Sequence, residues 1–306
     1  MHQADRVKTD NILVLGAGEL GMAVLRELAI QPTARVTVML RPSALDATSK
    51  SKRQTLDELS KLGIEVVSAD AANDSEAKLA ALFSGFDTVV SCLGFAAGPG
   101  IQLKLVRVVL QSDVKRFVPW QFGVDYDVIG RGSPQDLFDE QLSVRELLRG
   151  RSRVQWLIIS TGMFTSFLFE PAFGVVDLSR NIVHALGSWD TAVTVTTPED
   201  IGHLTASILR DPALANQVVF VAGDTLTYQQ LADTVDQVLS REVERVEWTM
   251  EMLEADLAAA PDDSIRKYRA VFAEGKGVAW AKPDTYNAKH KIETVNVAQW
   301  VEKHLL

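Results

Sequence analysis

Residues 11–28 read NILVLGAGELGMAVLREL, a short apolar run that passes through three glycines directly into a helical repeat. No other stretch limits the fold as strongly. Gly16, Gly18 and Gly21 have G-x-G-x-x-G spacing, and Leu20, Val24 and Leu28 recur behind them at helical intervals. In a strand-loop-helix of this kind the first glycine permits the tight turn and the second lets backbone approach a pyrophosphate. The third lets the helix sit close to the strand, so that the helix N-terminus faces the anion. Outside such a setting the same glycines would mark only a turn. Here they indicate a nucleotide cradle.

Apolar runs of strand length follow at residues 36–40, 64–67, 88–92, 116–118 and 154–160, with amphipathic helical stretches between them. Alternation of this kind predicts an α/β fold, a Rossmann-type doubly wound parallel sheet covered on both faces by helices. We expect residues 1–160 to form the NAD(P)-binding domain, with 191–222 returning to its sheet and VVFVAGD supplying another central strand. Residues 161–190 and 223–306 then form a smaller, mostly helical substrate lobe. Thr197 is the expected N-cap of one helix in the later part, and Thr227 with Gln230 has capping-box spacing at the start of another.

Composition narrows the function classes. The 306 residues are 47% hydrophobic and 23% charged, ordinary for a globular protein, and the formal net charge of -9 disfavours binding to nucleic-acid phosphates. Cys92 is the single cysteine, which excludes an internal disulfide and a cysteine-based metal cluster and suggests a reducing compartment. MHQADRVKTD has no apolar leader, and no apolar run approaches the roughly 18 residues of a membrane helix, so a cytoplasmic protein without a membrane partner is expected. The histidines lack metal-ligand spacing; His184 and His203 read as structural or surface residues, and no metal site is expected. A serine-hydrolase elbow G-x-S-x-G is absent as well.

The second strand ends in RVTVMLRPS, with Arg41, then Ser43, and no acid before Asp46. An NAD site places an Asp or Glu there for the ribose 2'-hydroxyl, whereas a guanidinium suits the additional phosphate of NADP. The expected cofactor is therefore NADP(H). Glu19 and Leu20 beside the glycines, and Leu93 and Gly94 after the fourth strand, are further expected cofactor contacts.

Together the segments VLGAGELG, VMLRPS, KRFVPWQFG, TPEDIG and KYRAVFAEGKG resemble the NmrA-like, isoflavone-reductase-like branch of the atypical short-chain dehydrogenases over nearly the whole chain. The resemblance implies a Rossmann domain with a C-terminal substrate lobe, NADPH, and reduction of aromatic or phenolic secondary metabolites. It implies that Gly16, Gly18 and Gly21 form the family's glycine loop and that Arg41 binds the 2'-phosphate with help from Lys50. Phe122 matches the aromatic residue of the family's P-S-E-F-G signature, which lies near the nicotinamide.

This chain departs from that pattern in two places. Its signature is PWQFG, with Trp120 and Gln121 in place of a small hydroxyl residue and an acid. The position of the family's reductase lysine aligns with Gln141, and no lysine occurs between Lys115 and Lys267. None of the four tyrosines starts a Y-x-x-x-K pair either. Gln141 shares a helical stripe with Leu137, Val144 and Leu148, so it is expected to face inward, where an amide can orient a ribose hydroxyl but cannot titrate. A proton, where one is needed, then comes from water or from the acidic VDYD loop, which makes Asp125, Tyr126 and Asp127 candidates; iminium reduction needs hydride alone.

TGMFTSFLFEPAFG brings Gly162, Met163 and Phe164 to the carboxyl edge of the sheet, where open α/β folds bind ligands, with Phe167 and Phe173 close behind. Gly162 is assigned to the cofactor. Trp120, Met163, Phe164 and Phe167 are assigned to a small aromatic substrate, although the same rings also suit lobe packing. GVAWAKPDTY is a candidate lid. Three functional readings stay open: a reductase, an NADP-binding sensor with a protein partner, and a cofactor-retaining cyclase or isomerase. A homodimer is likewise open.

Overall fold

The computed structural model describes residues 9–46, 48–150 and 153–306. Residues 1–8, which open the expected 1–160 domain and hold most of MHQADRVKTD, lie outside the described residues. In chain order the first half contains β1 (Asp10–Leu15), α1 (Glu19–Ala29), β2 (Ala34–Leu40), α2 (Pro42–Leu45), α3 (Lys50–Lys61), β3 (Glu65–Ser68) and α4 (Glu76–Phe83). It continues with β4 (Thr88–Ser91), α5 (Ile101–Gln111), β5 (Arg116–Val118), α6 (Tyr126–Ile129), α7 (Leu137–Arg149) and β6 (Gln155–Ser160). Next come β7 (Met163–Phe164), β8 (Val176–Asp177), β9 (Ile182–Gly187), β10 (Ala192–Thr196), α8 (Pro198–Arg210), β11 (Gln217–Phe220) and β12 (Asp224–Thr227). The chain closes with α9 (Tyr228–Leu239), β13 (Glu244–Thr249), α10 (Met250–Ala259), α11 (Ser264–Ala273), α12 (Tyr286–Lys289) and α13 (Val297–Leu305).

Seven strands form one sheet in the order β11-β6-β5-β4-β1-β2-β3. The registers from β6 through β3 are parallel, with Leu13 opposite both Thr37 and Val89. The order turns back at β1 and β4, the topological switch point at which such sheets bind ligands. Because helices cover the sheet, its central strands are apolar on both faces. Leu13, Leu15, Val89 and Phe117 pack with Phe83, Leu105 and Val109 in one buried cluster.

The chain divides into two compact units. The first runs to Trp120 and adds Ser143–Ile158 and Ile201–Val218; the second holds Gln121–Leu142, Ile159–Asp200 and Val219–Leu306. The expected domain, unbroken to residue 160, is thus interrupted. Residues 121–142 pack with the C-terminal part of the chain: Asp125 N–H donates to the Gly277 carbonyl, Lys267 pairs with Asp136, and the Phe138 ring meets both Tyr126 and Tyr268 edge-on.

Of the expected return at 191–222, only β11 joins the large sheet, and it lies at the edge instead of the centre. β10 pairs instead with β12 and β7 in a three-stranded sheet of the second unit. The contact that goes with this pairing is between distant segments: Gly162, at φ +71°, turns the chain so close to β10 that any Cβ would stand 2.0 Å from the Thr194 carbonyl oxygen. Another three-stranded sheet has the order β13-β9-β8. Thr197 caps α8 by accepting from the Asp200 N–H, and Thr227 and Gln230 close a reciprocal capping box on α9.

Candidate functional site

The three glycines adopt three different geometries. Gly16 sits at φ +91°, the left-handed region that favours glycine. At Gly21 a Cβ would lie 2.3 Å from the Gly16 carbonyl oxygen, so helix α1 approaches the turn as closely as its backbone allows. Gly18 is exposed, with nothing within 4 Å of where its Cβ would stand. It is the N-cap of α1, and no side chain caps the helix. The sequence therefore builds a helix start whose N–H groups are not covered by a side chain, beside open space.

That space is a cavity of about 560 Å³ within the first unit, bordered by Gly16, Gly18, Arg41, Asp70, Cys92 and Gly94, among others. Its volume is in the range of small-molecule and cofactor sites. Arg41 extends from the end of β2 and is exposed; among the described residues its guanidinium makes no hydrogen bond or ion pair. The Asp70 carboxyl sits below the usual carboxylate range, chiefly through N–H donors from Asn73, with a smaller contribution from Arg41. Burial pushes the Cys92 thiol up to about 12, so it lines the cavity as an unreactive thiol.

Several expected cofactor residues are placed at this cavity and others are not. Leu93 and Gly94 border it. Leu20 is buried in α1, while Glu19 is exposed in its first turn. Ser43 and Lys50 are exposed and are not among the residues that line the cavity. Lys52 is: its Nζ donates to the Ser43 carbonyl at 2.6 Å and pairs with Asp46 at 2.7 Å. Helical geometry in α3 explains the change, since residue 52 faces back across the turn that residue 50 begins. Asp70 and Asn73 also line the cavity without belonging to any motif in the sequence; they follow β3 at the carboxyl edge of the sheet, the edge the topology rule singles out.

Trp120 packs edge-on against Phe95, with ring centroids 4.5 Å apart, and lies over Gly94, where a Cβ would stand 3.0 Å from the indole. Phe122, Gly162 and Met163 are buried in the second unit, and Phe164 is half-buried. Phe167, expected at the substrate, stacks on fully buried Phe173 at 4.6 Å and meets Tyr268 edge-on. It belongs to a ring cluster that packs the second unit.

The acidic loop differs from its expectation. Tyr126 is buried against Phe138, and the Asp125 carboxylate accepts the Asp127 N–H at the start of α6. Asp125 also borders a smaller cavity of about 220 Å³ in the second unit, with Phe220, Trp280 and Asp284. The candidate lid is pinned there: the Trp280 main-chain N–H donates to Thr194 Oγ1 at 3.1 Å, and its indole N–H donates to the Val221 carbonyl at 3.0 Å. Gln141 is fully buried and bonded to Gln121. His184 is buried, stacked on Trp248, with burial pushing its imidazole below its ordinary pKa; His203 pairs with Glu27. Among the described residues no group of three or more His, Cys, Asp or Glu is placed to hold a metal ion, and no helix is long and apolar enough to cross a membrane.

The sequence profile of the NmrA-like family matches residues 8–276. The chain belongs to the NmrA-like family. An NmrA-like family domain-containing oxidoreductase of Gibberella moniliformis is 45% identical over 299 residues, covering 96% of this chain and 98% of that protein. The oxidoreductase class expected from the sequence stands. Pinoresinol reductase 1 of Arabidopsis thaliana is 24% identical and covers 80% of this chain and 79% of its own. Among solved structures, an isoflavone reductase superposes with a TM-score of 0.82 at 19% identity, covering 97% of this chain and 99% of its own. A leucoanthocyanidin reductase from Vitis vinifera, bound to NADPH, gives 0.75 at 21% identity and 89% coverage of each. Both show the same Rossmann-like α/β fold.

Proposed function

We propose that this NmrA-like oxidoreductase binds NADP(H) in the first-unit cradle and reduces a planar aromatic or phenolic small molecule. The observation that carries the reading is the Arg41 guanidinium, without a hydrogen bond or ion pair among the described residues, on the same cavity that Gly18 leaves open. The residues fit the group. Gly16 and Gly21 occupy positions where a Cβ would strike neighbouring atoms, and Gly18 leaves room for a phosphate that a side chain would fill. Uncapped N–H groups at the start of α1 hold the pyrophosphate, and Arg41 takes the 2'-phosphate through charge-assisted hydrogen bonds, with Lys52 beside it. NADPH, when bound, supplies a hydride to the substrate.

The aromatic substrate class rests on the relatives, whose names include pinoresinol reductases and an isoflavone reductase homolog, and on half-buried Phe164 after β6. Where a substrate needs a proton as well as hydride, Asp125, which borders the smaller cavity of the second unit together with Asp284, is the loop carboxylate placed to give it. Gln141 is neutral and only orients.

Titration of NADPH and NADH into the wild type and Arg41→Ala tests the cofactor. NADPH binds the wild type more tightly than NADH. The substitution removes about 1.5–3 kcal/mol for NADPH, the worth of a charge-assisted hydrogen bond, and leaves NADH unchanged. Equal affinities in the wild type would end the reading. A screen of aromatic carbonyls, alkenes and imines for NADPH consumption, with product identification, then assigns the substrate.

A further inference from the structure

Gly94 borders the cavity of the first unit, yet its backbone does not require glycine. Its φ of -79° and ψ of -170° lie in the extended region that any residue adopts. What excludes a side chain there is Trp120. A Cβ at residue 94 would stand 3.0 Å from Cζ2 and 3.2 Å from Cε2 of the indole, and the third nearest atom belongs to the same ring. Phe95 meets that indole edge-on, with ring centroids 4.5 Å apart. One residue earlier, Leu93 packs over the first glycine of the cradle, its Cδ2 only 2.8 Å from where a Gly16 Cβ would stand. Buried Gln102 fixes Leu93 by donating from Nε2 to its carbonyl at 2.7 Å. Trp120, Gly94, Leu93 and Gly16 thus form one line of contacts inside the first unit.

Resting on the NADP(H) reading of that cavity, we propose that Trp120 is a positioning residue whose indole sets where the 93–97 wall of the cavity stands. Gly94 is the bare backbone that lets the ring come so close. The wall is a single 3-10 turn over Phe95–Ala97, in which the Ala97 N–H donates to the Gly94 carbonyl at 3.0 Å. So short a turn has little stability of its own, and its position follows what it packs against. The resemblance implies a small hydroxyl residue at position 120, which would leave Gly94 uncovered. This chain fills the space with a ring. Glycine at 94 and tryptophan at 120 are therefore matched in size, and a methyl added at 94 is accommodated only when the ring is gone. The wall reads LGFAA and carries no charge, unlike Arg41 and Lys52 on the same cavity. Its placement acts on NADPH and NADH alike.

The test measures the dissociation constants of both cofactors for the full chain, Gly94→Ala, Trp120→Ser and the double variant. All are compared well below their melting temperatures, where lost stability alone leaves Kd unchanged. Gly94→Ala weakens both cofactors about tenfold in the wild-type background and less than about twofold in the Trp120→Ser background, where the methyl meets no ring. Trp120→Phe, which keeps a ring over Gly94, retains more affinity than Trp120→Ser. Equal losses from Gly94→Ala in both backgrounds, or a loss confined to NADPH, would overturn the proposal. An arm without substitutions covers any variant that does not fold. In the wild type the Trp120 indole N–H signal, identified by NMR through cross-relaxation with the Phe95 ring, shifts when NADP+ is added. NADP+ binding that leaves this signal unmoved overturns the proposal alone, whereas a wild type that binds neither cofactor overturns the NADP(H) reading with it.

Discussion

At the residue scale, the glycine loop separates a requirement of the fold from a requirement of the ligand. Gly21 has backbone within 2.3 Å of its would-be Cβ, while Gly18 has nothing within 4 Å. Gly21→Ala must push α1 away from its turn, and it is expected to lower the melting temperature and abolish NADPH binding together. Gly18→Ala folds with a melting temperature close to the wild type, since the added methyl meets no protein atom, yet weakens NADPH because the methyl occupies the pyrophosphate's space. Thermal melts and NADPH titrations of the two variants check this; a destabilised Gly18→Ala with unchanged cofactor affinity would refute it. The spacing of the glycines was legible in the sequence because each has a separate steric duty. Which lysine borders the cavity was not, because that depends on how α3 begins, and the structure places Lys52 there and not Lys50.

At the scale of elements, local signals were the readable ones. The capping box on α9 is written in four consecutive residues, and the structure shows both of its bonds, at 3.1 Å and 2.8 Å. The helix buries Tyr228, Leu231, Ala232 and Val235, so fraying its first turn exposes a packed face. Thr227→Ala is expected to cost about 1 kcal/mol. The check is a lower urea midpoint at an unchanged slope; an unchanged midpoint would show that α9 is held by packing alone. The position of β11 carries no such local signal. Its residues read as a buried strand wherever it sits in the sheet, and only pairing with β6 places it at the edge. The turn at Gly162 and the ring cluster of Phe167 with Phe173 and Tyr268 are likewise set by partners distant in sequence.

For the whole molecule, NADP+ is expected to stabilise the folded chain by mass action, about 2.7 kcal/mol at a hundred times its dissociation constant. Hydrogen exchange should slow at residues 16–22, 39–41 and 69–73, which border or open onto the cavity of the first unit. Stabilisation with protection absent from these segments would place the cofactor elsewhere. By itself, the sequence determined the parallel sheet, the cradle and the family, because strand hydrophobicity, glycine sterics and helix caps act over a few residues and survive in any context. Only the tertiary structure decided that residues 121–142 join the C-terminal unit, that VVFVAGD forms an edge strand, and that the Trp120 ring lies over Gly94. Each of these depends on a hydrogen bond or ring contact between segments, and a backbone carbonyl or an aromatic face leaves no mark in the sequence that would name its partner.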